Sequence, residues 1–169
     1  YYTGLNTVAG NPLGSVTVVE FFDYNCEYCH RMPGILNTVL RSNPNVRLVY
    51  RDYPVLGPSS TYGARAALAA AMQGRYLPFH NALFATRGIS GGTVSGIASQ
   101  VGVNMAEFNR DLMSGAVSQQ IASNGAAARE LGINGVPVVV VAATPHKGEG
   151  SIPAIMMVSP SVGDLQSAI

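Results

Sequence analysis

Residues 16–29 constrain this chain more than any other stretch. The apolar, β-branched run Val16-Thr17-Val18-Val19-Glu20-Phe21-Phe22 leads directly into Asp23-Tyr24-Asn25-Cys26-Glu27-Tyr28-Cys29, and these two cysteines are the only ones in 169 residues. Such a run favours a strand, and its near-continuous apolar character predicts one covered on both faces. Beyond it, Met32, Ile35, Leu36, Val39 and Leu40 recur at three- and four-residue spacing, which predicts a helix over residues 26–41. Pro33 falls inside that helix and predicts a kink there. A strand that delivers Cys-x-x-Cys onto the first turn of a helix is the local architecture of a dithiol redox site.

The chemistry follows from the spacing. Residues i and i+3 of a helix share a face, so the two sulfurs can meet. The ring they close is tight, and a strained, accessible disulfide is easily reduced. Cys26 comes first, where a helix N-terminus favours a thiolate, so it is the attacking or leaving sulfur; Cys29 is the resolving thiol. A stabilised Cys26 thiolate favours the reduced form and makes the disulfide an oxidant. Glu27 opposes that charge and His30, when protonated, supports it. A rival reading uses the same residues: Cys26-Glu27-Tyr28-Cys29-His30 is also the C-x-x-C-H pattern of c-type haem attachment, with His30 as axial ligand. No metal cluster is evident, since His80 and His146 are isolated in the sequence.

The rest of the chain supplies the frame. Residues 46–51 (VRLVYR) form a second strand, so 16–51 is a β-α-β unit with parallel strands and a right-handed crossover. Residues 59–131 show only helical patterns: 59–73 with Ser59 or Ser60 as N-cap, then 76–86, 93–101, 105–114 opened by Asn104 and Glu107, and 117–131 closed by Gly132. Strand character returns at 135–141, around Pro137, and again at 152–158 after a polar turn at 144–150. Ser159-Pro160 opens a terminal helix. Residues 1–15 hold at most a short strand. Met156 and Met157 read as sheet core, and His80 as a helix-surface or packing histidine.

Taken together, Val19-Glu20-Phe21-Phe22-Asp23-Tyr24-Asn25-Cys26, the Cys-x-x-Cys pair, VRLVYRDYP at 46–54 and Gly132-Ile133-Asn134-Gly135-Val136-Pro137 make the chain resemble the DsbA-like branch of the thioredoxin-fold disulfide oxidoreductases. That resemblance implies an α/β, thioredoxin-like domain (1–57 and 132–169) interrupted by an all-helical insertion domain (58–131). It implies that Pro137 is a cis-proline lying against the cysteines, that Val136 offers its backbone to an extended client, and that Glu20 is a buried acid exchanging a proton with Cys29. Tyr28 and Glu27 then border the client site. Tyr24 and Tyr53 are further candidates for its rim, or for packing. Glu27 stands where similar proteins usually carry Pro, Gly or a basic residue.

The implied activity is disulfide exchange on reduced or misoxidised protein clients, with the Cys26–Cys29 disulfide as the redox group and no cofactor. A membrane-bound partner would reoxidise or reduce the pair, in a periplasmic or otherwise exported setting. Introduction of disulfides, their reduction and their isomerisation are all chemically open to such a pair, and a chaperone-like binder with incidental thiols is a further reading. Composition narrows the field elsewhere. A net charge of +1 without a basic stripe argues against a nucleic-acid partner on electrostatic grounds. No apolar run reaches the roughly 18 residues of a membrane span.

Overall fold

The computed structural model describes residues 4–146 and 152–169. Five strands form one mixed sheet in the order β1-β3-β2-β4-β5. The strands are β1 (Val8–Gly10), β2 (Val16–Phe22), β3 (Val46–Asp52), β4 (Val138–Ala143) and β5 (Ala154–Val158). The apolar run that leads into the cysteines is the central strand. It pairs in parallel with β3, Glu20 opposite Tyr50 and Phe22 opposite Asp52, and antiparallel with β4. The parallel pair is the expected β-α-β unit. Strand β1 adds antiparallel to β3, so the lead-in does contain its short strand.

Side chains alternate across the sheet, and the two faces differ. Val18, Phe22, Leu48, Tyr50, Val139 and Val141 pack with Met32, Leu36, Val39, Phe79 and Leu165 in the main core. Each large apolar side chain buried there contributes about 1.5–3 kcal/mol. Phe21, Val138 and Val140 point the other way, onto Ala128 and Ile133. The crossover helix is α1 (Met32–Ser42); the run between β3 and β4 holds α2 (Pro58–Ala71), α3 (Tyr76–Ala85), α4 (Gly91–Val101), α5 (Met105–Asp111) and α6 (Gly115–Glu130), and α7 (Val162–Ala168) closes the chain. Asn104, Ser114 and Ser161 cap α5, α6 and α7 by accepting a backbone N–H, and Gly132 takes a left-handed φ of 70° just past α6.

Several expectations change. Helix α1 begins at Met32, after a short 3-10 turn at Cys29–Arg31, and not at Cys26. Pro33 therefore sits in the first turn, where its missing N–H would have no intrahelical partner anyway, and it gives no interior kink. Ser59 and Ser60 do not cap α2, whose N-cap is Gly57; their hydroxyls are used elsewhere, as shown below. The C-terminal helix is capped by Ser161 with Asp164 in a reciprocal capping box, two residues beyond the predicted Ser159. Met156 is 49% exposed, because β5 is the sheet edge; the core reading fails there. The predicted turn at 144–150 lies partly outside the described residues.

Candidate redox site

Strand β2 ends at Phe22, and the next six residues, up to the 3-10 turn at Cys29, are held as a loop from several sides. Asp23 is buried. Its carboxyl accepts the Asn25 N–H (2.8 Å) and those of Val55 (2.8 Å) and Leu56 (3.0 Å). The Asn25 amide donates to the hydroxyls of Ser59 and Ser60, both at 2.9 Å, so the two serines anchor this loop to α2. Tyr24 is buried too and packs against Phe22 and Phe84. It can lie close to α2 because residue 63 is glycine: a Cβ there would come within 3.4 Å of the Tyr24 ring and 2.7 Å of Ile89.

Cys26 is 7% exposed and Cys29 fully buried, and both are free thiols. The Cys26 thiol reaches the Val136 carbonyl at 3.5 Å, and the Val136–Pro137 bond is cis. Residues 110 positions apart thus meet at the sulfur. Burial pushes the Cys29 thiol far above its ordinary range; a backbone N–H near Asp23 works against this, and Cys26 and Glu20 add to it. A thiol held so firmly in its neutral form needs a proton acceptor before it can attack.

Glu20, six residues before Cys26, is 1% exposed. Burial, and then the nearby Asp52, push its carboxyl up to about 8. Its Oε1 has no hydrogen-bond partner. Glu27, Tyr28 and His30 are exposed. Tyr28 carries the Arg31 guanidinium 5.5 Å from its ring centroid. The two ring nitrogens of His30 lie 2.9 Å from the Tyr24 carbonyl and 3.0 Å from the Phe84 carbonyl. Carbonyl oxygens only accept, so both bonds form together only when both nitrogens carry hydrogen. His30 in this way links the redox loop to the end of α3. Tyr53 packs edge-on against Phe21, on the far face of the sheet.

Two hollows flank the thiols. One, of about 650 Å³, lies between the loop and the α3–α4 connection and is lined by Glu27, His30, Arg31, Phe84 and Arg87. The other, of about 200 Å³, lies between Tyr28, Met32 and Ile35 and the Ser159-Pro160 turn.

Sequence reading missed a group beneath the thiols. His80 is fully buried, the packing alternative of the two read from the sequence, but its place in this group was not foreseen. Its ring lies 4.3 Å from that of Tyr50 and about 5 Å from those of Phe22 and Phe84. Nδ1 and the Tyr24 hydroxyl are hydrogen-bonded at 3.0 Å, and burial lowers the imidazole to about 3. The Tyr76 hydroxyl donates to Asp52 at 2.7 Å. Period-two spacing offered one signal: Leu48, Tyr50 and Asp52 share a strand face, so an acid was due on the inner side.

A mixed sheet that presents a dithiol loop to a cis-proline, over a buried acid, defines a dithiol protein of the thioredoxin-like class. More narrowly, residues 17–161 match the DSBA-like thioredoxin domain, and the chain belongs to that family. A thioredoxin-like oxidoreductase from Silicibacter pomeroyi is 43% identical, with a TM-score of 0.80 over 95% of this chain and 88% of that one. The thiol-disulfide exchange protein alpha-DsbA2 from Wolbachia pipientis shares the fold at 24% identity, with a TM-score of 0.81 over 95% of this chain and 83% of its own. Among curated proteins, the Na(+)/H(+) antiporter NhaA 1 of Salinispora arenicola is 28% identical over 88% of this chain but only 23% of its own length. The chain thus spans about a quarter of the curated relatives it matches. No helix among the described residues is long and apolar enough to cross a membrane.

Proposed function

We propose that this chain exchanges disulfides with protein clients through Cys26 and Cys29, and that its main direction is to introduce disulfides into exported proteins. The observation that supports this most is the Cys26 thiol at 3.5 Å from the Val136 carbonyl, just before cis-Pro137. An extended client that pairs with the Val136 backbone brings its own sulfur to Cys26. The client thiolate attacks the Cys26 sulfur of the Cys26–Cys29 disulfide, and Cys29 leaves with a proton from Glu20. A second client thiolate then attacks the client sulfur of the mixed disulfide. A client disulfide forms, and Cys26 leaves with the electron pair. In reverse, Glu20 takes the Cys29 proton and the pair reduces a client.

Exposed Tyr28 and Glu27 border the approach to Cys26. A membrane-bound partner that reoxidises the pair completes the cycle. Antiporter-named relatives that carry a segment like this one, and the thiol-disulfide exchange protein that shares the fold, support a place beside a membrane and outside the reducing cytosol.

The second reading, reduction or isomerisation, is favoured by one residue, the carboxylate of Glu27 between the two cysteines. The redox potential against glutathione separates the two: about −120 mV marks an oxidant and about −270 mV a reductant. Cys26→Ser is expected to abolish both insulin reduction and oxidative refolding; retained activity in either assay rules out the site.

A further inference from the structure

The face of the sheet beneath Cys29 carries two acids. Glu20 and Asp52 are each 1% exposed. The parallel register places Glu20 beside Tyr50 and Phe22 beside Asp52, so the two acids are diagonal neighbours, about 8 Å apart from strand spacing and rise. The titratable groups that surround them are Tyr50 from β3, Asp23 and Tyr24 from the loop, Cys29 from the 3-10 turn, and Tyr76 and His80 from α3. Among the described residues no lysine or arginine is buried. Glu20 Oε1, Asp52 Oδ1 and His80 Nε2 are all buried without a hydrogen-bond partner.

Two carboxyls in an apolar chamber without a cation resist being charged together. Asp52 nevertheless has what Glu20 lacks. The Tyr76 hydroxyl donates to its Oδ2 at 2.7 Å, and the Asn124 amide fixes its backbone carbonyl at 2.9 Å. Its carboxyl is pushed up to about 7 by burial, against the pull of the Tyr76 and Tyr24 hydroxyls. Charge on Asp52 in turn raises Glu20.

We propose that Asp52 is a positioning acid of the redox site that acts through Glu20: while Asp52 is charged, Glu20 keeps its proton, and while Asp52 is neutral, Glu20 is free to take one from Cys29. The proposal rests on the thiol–disulfide reading above. In the step concerned, the Cys29 S–H gives its proton to the Glu20 carboxylate. The sulfur's electron pair attacks Cys26 in a mixed disulfide, and the bond from Cys26 to the outside sulfur breaks, its electrons leaving with that sulfur.

The test uses the reduced protein and an aromatic disulfide, 5,5′-dithiobis(2-nitrobenzoate). The first coloured thiolate is released when Cys26 attacks, and the second when Cys29 resolves the mixed disulfide. The pH profile of the second release reads the proton acceptor. Asp52→Asn is expected to move its midpoint down by about half a unit or more, roughly a threefold faster release below the midpoint. The same change in a Glu20→Gln background should leave the profile where Glu20→Gln alone puts it. An Asp52→Asn profile that coincides with wild type, with Glu20→Gln shifted, overturns the proposal and leaves the oxidoreductase reading standing. Absence of any second release from the wild type overturns both. If Asp52→Asn does not fold, the infrared difference spectrum between reduced and disulfide forms of the wild type decides: two carboxyl bands that respond support the proposal, and one alone refutes it.

Discussion

Around Cys26 the side chains are exposed and polar; beneath Cys29 they are buried and their charged forms are disfavoured by their surroundings. Glu27, Tyr28 and Arg31 stand in solvent. Glu20, Asp52 and His80 are buried in the core, where the His80 ring packs against Phe22, Tyr50, Tyr76 and Phe84; we call this buried region the chamber. A charge on the rim is screened by water and salt, whereas one in the chamber is screened far less. The cysteines are three residues apart, yet substitutions around them fall into two classes. Rim residues should tune potential and client choice weakly. Chamber residues should control rate, pH profile and stability strongly.

The largest expected effect separates the two thiols themselves. Cys29→Ser leaves the outer sulfur in place and removes the resolving one, so mixed disulfides with clients should accumulate and turnover should stop. Non-reducing electrophoresis after mixing with a reduced, unfolded client reads this directly; rapid turnover without trapped species would merge the two regions. Next comes the buried acid. Glu20→Gln should slow exchange by about 10²-fold, the low end for loss of a proton-transfer group, and alter the pH profile; an unchanged profile counts against Glu20 as proton partner.

Stability against pH sharpens the contrast. Glu20 sits at about 8 in the folded protein against 4.5 in an exposed chain, and Asp52 at about 7 against 3.8. Between those values the folded state holds protons the unfolded state has lost, so stability falls as pH rises. His80 works in the other direction, from 6.5 down to about 3: the folded state keeps it neutral, and stability is lost as pH falls through that range. The two acids outweigh the one imidazole where the windows overlap, so Tm is expected to decline from about pH 5 to pH 8. Glu20→Gln should flatten that decline and stabilise the protein at pH 8 by about 1–3 kcal/mol. An equal decline in the variant would mean that Glu20 does not carry it.

The loop that joins the regions gives a smaller effect. Asp23→Ala strands the N–H groups of Asn25, Val55 and Leu56 and should cost about 1–3 kcal/mol, seen by denaturant melting. The smallest belongs to the rim: Glu27→Pro should make the potential more oxidising by less than about 30 mV. A shift several times larger would place Glu27 with the chamber in its effect.

Much of this was legible in the sequence because the signals were local. The β2 run, the Cys-x-x-Cys pair and the Val136-Pro137 step each announce themselves within a few residues, and periodicity together with cap and turn residues marked a helical stretch for each α-helix among the described residues. Pro33 was misjudged because the turn at residues 26–31 postpones the helix, and nothing in the residue types marks that delay. The chamber was hidden for a different reason. Asp52, Tyr24, Tyr76 and His80 come from a strand end, a loop and a helix, with 56 positions between Tyr24 and His80. Each alone looks ordinary, and only β2–β3 pairing with α3 packed above brings them together. Ser59 and Ser60 resembled caps because serine caps helices, yet Asn25 claims both hydroxyls first.

The meeting of Cys26 with Val136 across 110 positions has a consequence for the chain during its birth. A ribosome adds about 5–20 residues each second, so some 5–20 s pass between the making of the thiol and the making of the carbonyl that shields it. Once residues 46–52 have followed, the central strand has β3 to pair with but not yet β4, and the pair of sulfurs is open to any oxidant or thiol nearby. The order of synthesis therefore exposes the reactive group first and encloses it last.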